Sequence, residues 1–255
     1  MTELDILDAR VFATSLAEKA SNIIRVQRPE RVSSKTNPAD LCTEKDVDIE
    51  QLVRESIRAT FPDHALEGEE LGRSGAEDAE YTWYVDPIDG TTNYVAGLPW
   101  SSFSLALADG NGAQLGMVAD PHRGEMATAV RGRGTEVDGA RVWASGATSV
   151  AGQVILTEWS GHVAWPGMQE TMAAVTDAYG TIRIMGSSAL ALYSVALGHA
   201  AGAIIGSFHL VDDLAGVLLA QEAGAVVLER AGGVMVAAPG VAEELALLWK
   251  TGTSS

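Results

Sequence analysis

Residues 83–93 read Trp83-Tyr84-Val85-Asp86-Pro87-Ile88-Asp89-Gly90-Thr91-Thr92-Asn93. An apolar run that reads as a strand stops at two acids, Asp86 and Asp89, with Pro87 between them and Gly90 after. Pro87 fixes its own φ and biases Asp86 toward extended backbone. Gly90 permits a sharp bend that a side chain would resist. Both carboxylates are thereby expected to point to one side of a strand end. Held that close, they repel unless protons or cations neutralise them. Hard divalent cations with oxygen ligands are the natural solution.

Taken alone, such a stretch also fits an ordinary turn rich in Asp, Pro and Gly. The residues upstream favour the site. Ala65-Leu66-Glu67-Gly68-Glu69-Glu70 is a second apolar run ending in acids, again with glycine beside the carboxylates. Two such strand ends predict one metal site built from neighbouring strands. Farther along, His209-Leu210-Val211-Asp212-Asp213 opens a helix. Asp at a helix start is commonly an N-cap. Beside two acidic strand ends it becomes a third metal-facing carboxylate. Gly186-Ser187-Ser188-Ala189 opens another helix, whose free N–H groups suit a phosphate, although small residues there also serve as simple caps.

The elements that must position these groups are legible from periodicity. Leu4, Leu7, Val11, Phe12, Leu16, Ala20 and Ile23 fall at helical spacing, predicting a long amphipathic helix that stops before Pro29. A polar loop over 31–38 follows. A second helix starts at Thr43, with Thr43 and Asp46 in capping-box register, and ends at Pro62. Its inner face is Ile49, Leu52, Val53, Ser56 and Ile57. Short apolar runs at 102–108, 113–119 and 126–130 predict a meander. Beyond a small, polar stretch at 144–151, strands (154–157, 181–185, 203–206, 226–228) alternate with helices (168–179, 187–199, 212–223). That alternation predicts a largely parallel sheet in the second half. The expected division is 1–148, carrying most metal ligands, and 149–255, completing the site.

With 255 residues, 47% apolar and 20% charged, the chain is globular with ample core. Its net charge of −17 argues against nucleic-acid or anionic-membrane surfaces, which need clustered Lys and Arg. An anionic substrate would need a local positive centre, which bound cations supply. Cys42 is the only cysteine, so no intramolecular disulfide is possible, and a reducing cytoplasm is expected. Residues 186–211 contain no Asp, Glu, Lys or Arg, a length that would cross a bilayer, but their serines, glycines and histidines fit a buried helix and strand better than a membrane span.

The chain resembles the inositol monophosphatase family of Mg²⁺-dependent, lithium-sensitive phosphatases over roughly residues 35–224. The most specific match is residues 86–93. Gly68-Glu69-Glu70 is the second, and Asp212 with Glu222-Ala223-Gly224 the third. The resemblance implies a layered αβαβα sugar-phosphatase fold (α/β in class), a mostly antiparallel first sheet and a homodimer. It implies two or three Mg²⁺ per site. Glu69, Asp86 and the Ile88 carbonyl would hold one; Asp86, Asp89 and Asp212 a second; Glu69 borders a third. Thr91 and Asp46 match the pair that orients and deprotonates the attacking water. Lys35 matches a basic residue of a flexible active-site loop. Gly90, Thr91 and the turn of Gly186, Ser187, Ser188 and Ala189 would surround the phosphate.

Departures bear on the substrate. Val211 stands where the family carries Trp, and Asp213 follows Asp212, so either acid could be the ligand; the spacing to Glu222 favours Asp212. Ile205 stands where inositol-hydrolysing members often carry a ring-contacting Glu, and Ala191 where many carry Asp. A small phosphate monoester is therefore expected: inositol monophosphate or a related cyclitol or sugar phosphate. Histidinol phosphate, fructose 1,6-bisphosphate and 3′-phosphoadenosine phosphates are alternatives. A binding protein that keeps the fold without turnover is the alternative of another class.

Overall fold

Three apolar cores, separated by two β-sheets, set the architecture. The computed structural model describes residues 3–26, 28–159 and 161–252. The chain opens with helix α1 (Glu3–Val26), a hairpin of β1 (Val32–Ser34) and β2 (Leu41–Thr43), and helix α2 (Glu44–Thr60). Then come β3 (Ala65–Gly68), β4 (Gly72–Ser74), β5 (Thr82–Asp89) and the short helix α3 (Thr91–Ala96). A meander follows: β6 (Ser102–Asp109), β7 (Gly112–Asp120), β8 (Glu125–Val130), β9 (Gly134–Val137) and β10 (Ala140–Arg141). The second half holds β11 (Val154–Thr157), α4 (Met168–Asp177), β12 (Thr181–Ile184), α5 (Ser188–Ala196), β13 (Gly202–Ile205) and α6 (Leu210–Glu222). It closes with β14 (Val226–Arg230), β15 (Gly233–Ala237) and α7 (Ala242–Leu248).

The first sheet runs β10-β9-β8-β7-β6-β5-β3-β4 and is antiparallel except where β3 pairs β5. One face packs on α1 and α2 through Phe103, Leu105, Leu107, Leu115 and Met117. The other face packs on α5 and α6 through small residues such as Ala106 and Ala129. Small residues are needed there because α6 lies close to the sheet. A Cβ on Gly116 would come within 2.8 Å of the Ala215 carbonyl oxygen. The second sheet covers the far side of α5 and α6, and α4 and α7 cover its outer face. The layers are therefore αβαβα.

The second sheet is mixed. β11 is parallel to β12 and β13, as βαβ alternation requires. The hairpin of β14 and β15 joins β13 antiparallel. β15 and α7 lie beyond the last strand read from the sequence. The loop expected over 31–38 is partly the β1–β2 hairpin. On α1 the buried stripe is Ala9, Ala13, Leu16, Ala17, Ala20 and Ile24, while Val11 is 69% exposed. The side chain of Leu4 lies outside the described part. Among the described residues no helix is long and apolar enough to cross a membrane.

Candidate active site

The acids converge because three chain segments end at one place. β3 and β5 run parallel, so Gly68 and Val85 are paired and Glu69 and Asp86 leave the sheet side by side. The β5–β6 register shifts between Asp86 and Asp89, a bulge at Pro87, which has no N–H to give the ladder. Gly90 then turns the chain with φ +88°, and its missing Cβ leaves room for the Gly186 and Trp100 carbonyl oxygens. Helix α6 brings Asp212 in from the other side of the sheet. Carboxylate oxygens of Glu69, Asp86 and Asp212 all lie within 4.8 Å of one another. Asp213 is directed elsewhere: its Oδ2 accepts the His209 N–H at 2.8 Å, at the entry of α6.

Asp89 adjoins this group but faces α5. Its Oδ2 accepts from Ser187 Oγ at 2.5 Å and from Ala189 N–H at 2.8 Å. Two groups of the expected phosphate turn are thus bonded to Asp89. Ser187 is also the N-cap of α5, accepting the Leu190 N–H. Gly90, Thr91, Gly186, Ser187 and Ser188 line one cleft of about 770 Å³ together with Lys35, Glu69, Asp86, Ile88, Asp89 and Asp212.

Burial is the leading force on these carboxyls. It raises Asp86 and Asp212 well above the usual carboxylate range, and neighbouring carboxylates push in the same direction. Asp89 is pushed up to about 6 by burial, against the hydrogen bonds from Ser187 and Ala189. Lys35 answers part of this charge. Its Nζ donates to Glu69 Oε1 at 2.6 Å and Glu70 Oε1 at 3.0 Å. Burial alone would lower the Lys35 pKa, but the two carboxylates raise it well above the ordinary value.

Asp46 has two tasks. Its Oδ2 accepts the Thr43 N–H at 2.8 Å and the Thr43 hydroxyl, completing the capping box of α2. Its Oδ1 accepts the Thr91 hydroxyl at 3.1 Å. The same hydroxyl lies 2.9 Å from the Ile88 carbonyl oxygen, so its one hydrogen serves either acceptor. Burial pushes Asp46 up to about 6, with Glu70 and Glu69 adding to it against the Thr43 bonds.

Glu158 is a cleft residue that the sequence reading passed over. It follows β11, and its two oxygens accept the Met185 and Gly186 N–H groups at 3.1 and 2.7 Å. It thereby fixes the turn leading into α5. Its signal was present: an acid directly after an apolar strand, the pattern that exposed Glu69 and Asp86. Glu50 is another. Fully buried on α2, it accepts the Glu70 and Leu71 N–H groups and so holds the turn bearing Glu69. Glu50 and Arg54, four residues apart on a helix, look in sequence like a surface ion pair.

The model of the inositol monophosphatase family matches residues 6–253. The chain belongs to the inositol monophosphatase family. It is 32% identical over 247 residues to the Nus factor SuhB of Pasteurella multocida, covering 92% of each chain. It is 34% identical over 232 residues to human inositol monophosphatase 2, covering 87% of this chain and 80% of that one. The crystal structure of the extragenic suppressor protein suhB from Bartonella henselae superposes with a TM-score of 0.88 at 26% identity, over 96% of this chain and 100% of that one.

The family is one of Mg²⁺-dependent phosphatases. The donors in this member suit a hard cation. The group of Glu69, Asp86 and Asp212 is all carboxylate, and Asp212 Oδ1 is buried with no hydrogen-bond partner. An oxygen-only set favours Mg²⁺ over zinc.

Proposed function

We propose that this family member is a Mg²⁺-dependent phosphomonoesterase for small phosphate esters, with the expected inositol or sugar phosphate as one candidate class. The observation that carries the proposal is the convergence of Glu69, Asp86 and Asp212 beside the bonded pair of Asp46 and Thr91. Glu69, Asp86, Asp212, Asp89 and the Ile88 carbonyl would hold the metal. Bound Mg²⁺ would neutralise phosphate charge and acidify water in its vicinity.

The chain's own residues supply the proton path. Thr91 Oγ1 accepts a proton from the attacking water and passes its own to Asp46 Oδ1. An Asp46 carboxyl near pKa 6 is mostly ionised at neutral pH, yet basic enough to take that proton. Water oxygen bonds to phosphorus, the P–O bond to the alcohol breaks, and the alcohol oxygen takes a proton from solvent. Asp46 is held by the α2 capping box, so it stays aligned during the step. The turn at Gly186–Ser188, fixed by Glu158, would receive phosphate oxygens, and Lys35 would bind from the β1–β2 side.

A panel of phosphate monoesters assayed with and without Mg²⁺ tests the proposal. Turnover that needs Mg²⁺ and is abolished in Asp212→Asn supports it. The relatives named Nus factor favour a second reading, a protein that acts by binding. No turnover of any ester in the panel would select that reading.

A further inference from the structure

Helix α2 carries a second buried acid, one turn after Asp46, that the proton path does not use. Glu50 is fully buried, and a carboxylate so placed is costly unless it is paired and hydrogen-bonded. Its Oε1 accepts from Arg54 Nη2 at 2.6 Å and from the Leu71 N–H at 3.1 Å, and its Oε2 accepts the Glu70 N–H at 2.7 Å. Arg54 Nη2 also donates to the Gly72 carbonyl oxygen at 2.8 Å. The pair thus grips the β3–β4 turn at Glu70, Leu71 and Gly72. The Glu69 N–H, just before them, is bonded to the Val85 carbonyl oxygen at 3.2 Å. Glu69 therefore stands between a bond to β5 and a clamp from α2.

The clamp depends on Gly68. A Cβ there would lie 2.1 Å from Glu50 Oε1, so the glycine is the gap through which the carboxylate reaches the turn. Gly68 is not in the left-handed region, so it supplies space rather than backbone freedom. Asp46 and Glu50, four residues apart, share one side of the helix. Asp46 meets Thr91 just past β5, and Glu50 meets the turn just past β3. One helix therefore touches both strand ends that deliver metal-facing acids.

We propose that Glu50 is a positioning residue for the metal: acting through the β3–β4 turn, it holds the Glu69 carboxylate beside Asp86 and Asp212 and so sets the affinity for a divalent cation. This rests on the assignment of Glu69 as a metal ligand above. Without the Glu50 carboxylate the Glu70 and Leu71 N–H groups lose the acceptor that fixes them. Glu69 is then free to swing toward Lys35, which already holds its Oε1. Groups that orient a metal's ligands typically change its affinity by about 10–100-fold when replaced.

Mn²⁺ binding to the full chain, read from the loss of the free-ion EPR signal, tests this, with Mn²⁺ standing in for Mg²⁺ as an oxygen-preferring ion. Glu50→Gln offers one acceptor oxygen where the clamp uses two, and should weaken the tightest Mn²⁺ site by about 10–100-fold. Glu50→Asp keeps the charge but is one methylene short of the turn, and should also weaken it. Thermal melts establish that each variant is folded; where one fails to fold, the other decides. Amide exchange at Glu70 and Leu71 should quicken in both. Gly68→Ala should weaken Mn²⁺ binding too, and combining it with Glu50→Gln should add little, because both break one clamp. Parent-like Mn²⁺ affinity in a folded Glu50→Gln overturns the proposal and leaves Glu50 a stabilising residue alone. Parent-like affinity in Glu50→Asp, or fully additive losses in the double variant, overturns it as well. A parent chain that binds no Mn²⁺ removes the ligand assignment and the proposal with it. Turnover of the phosphate monoester panel is read separately. Absent hydrolysis with the Glu50 dependence of Mn²⁺ binding intact defeats the phosphatase reading and leaves the positioning role standing.

Discussion

Replacing Asp89 with Asn removes one charge from a buried cluster that destabilises itself when metal-free. Asp89 is pushed up to about 6 from an ordinary value of 3.8, burial first, with Glu69 adding to it and the Ser187 and Ala189 bonds opposing. A carboxyl whose pKa rises on folding holds its proton more tightly in the native state. Its stabilising contribution is full below about pH 4 and is lost as pH climbs through about 6. A rise of about two units corresponds to ~3 kcal/mol of destabilisation at about pH 8. Asn cannot accept both of the Asp89 hydrogen bonds as well as a carboxylate, which takes back ~1–2 kcal/mol. Metal-free Asp89→Asn should therefore be more stable than the parent by ~1–2 kcal/mol at about pH 8, a rise of roughly 2–8 °C in Tm for a chain of this size. The gain should vanish near pH 4. Mg²⁺ should reverse the order, because binding stabilises the parent more than a variant lacking a ligand. Calorimetric melts in chelator and in excess Mg²⁺, at both pH values, read all of this. A metal-free variant that melts at or below the parent at about pH 8 would refute the reasoning.

Thr91→Ala should lower kcat by ~10²- to 10⁴-fold with little change in KM or Tm, because it interrupts the path to Asp46 while leaving the capping box intact; steady-state kinetics and a melt check both halves. Glu158→Gln offers one acceptor oxygen where the turn needs two, so inorganic phosphate should bind more weakly and stability should fall by ~1–3 kcal/mol at low pH. Burial pushes Glu158 up to about 7 against its backbone bonds, so the parent loses stability as pH rises from about 4.5 to 7, and the Gln variant should lack that slope in pH-dependent melts. Gly90→Ala places a Cβ 2.8 Å from the Gly186 carbonyl oxygen at φ +88°, and should cost ~2–3 kcal/mol in denaturant unfolding.

Glu69 and Asp86 were legible because each ends an apolar strand, a pattern burial imposes on a strand that must deliver a charge, whereas Asp212 in the first turn of α6 stood out only beside them. The capping box at Thr43 and Asp46 was equally plain, since its partners are three residues apart. What stayed hidden was set by distant chain. Asp89 binding the α5 entry depends on a contact between residues 98 or more positions apart. The β1–β2 hairpin has only three residues per strand, Val32-Ser33-Ser34 and Leu41-Cys42-Thr43, too few to set an alternating pattern. β15 was missed, although its fully buried run is apolar throughout, because a short run without period fits strand and helix alike. The spacing to Glu222 favoured Asp212 over Asp213, and the fold gives the physical reason: α6 turns Asp212 toward Glu69 and Asp213 toward its own first turn.

The central claim is that the pocket of Glu69, Asp86 and Asp212 binds a divalent cation. Mn²⁺, which shares the octahedral oxygen chemistry of Mg²⁺, can be located by anomalous diffraction from soaked crystals. The account predicts a strong peak within ~2.0–2.3 Å of oxygens from all three side chains. Peaks only at other surface acids, or none in the cleft at saturating Mn²⁺, would contradict it.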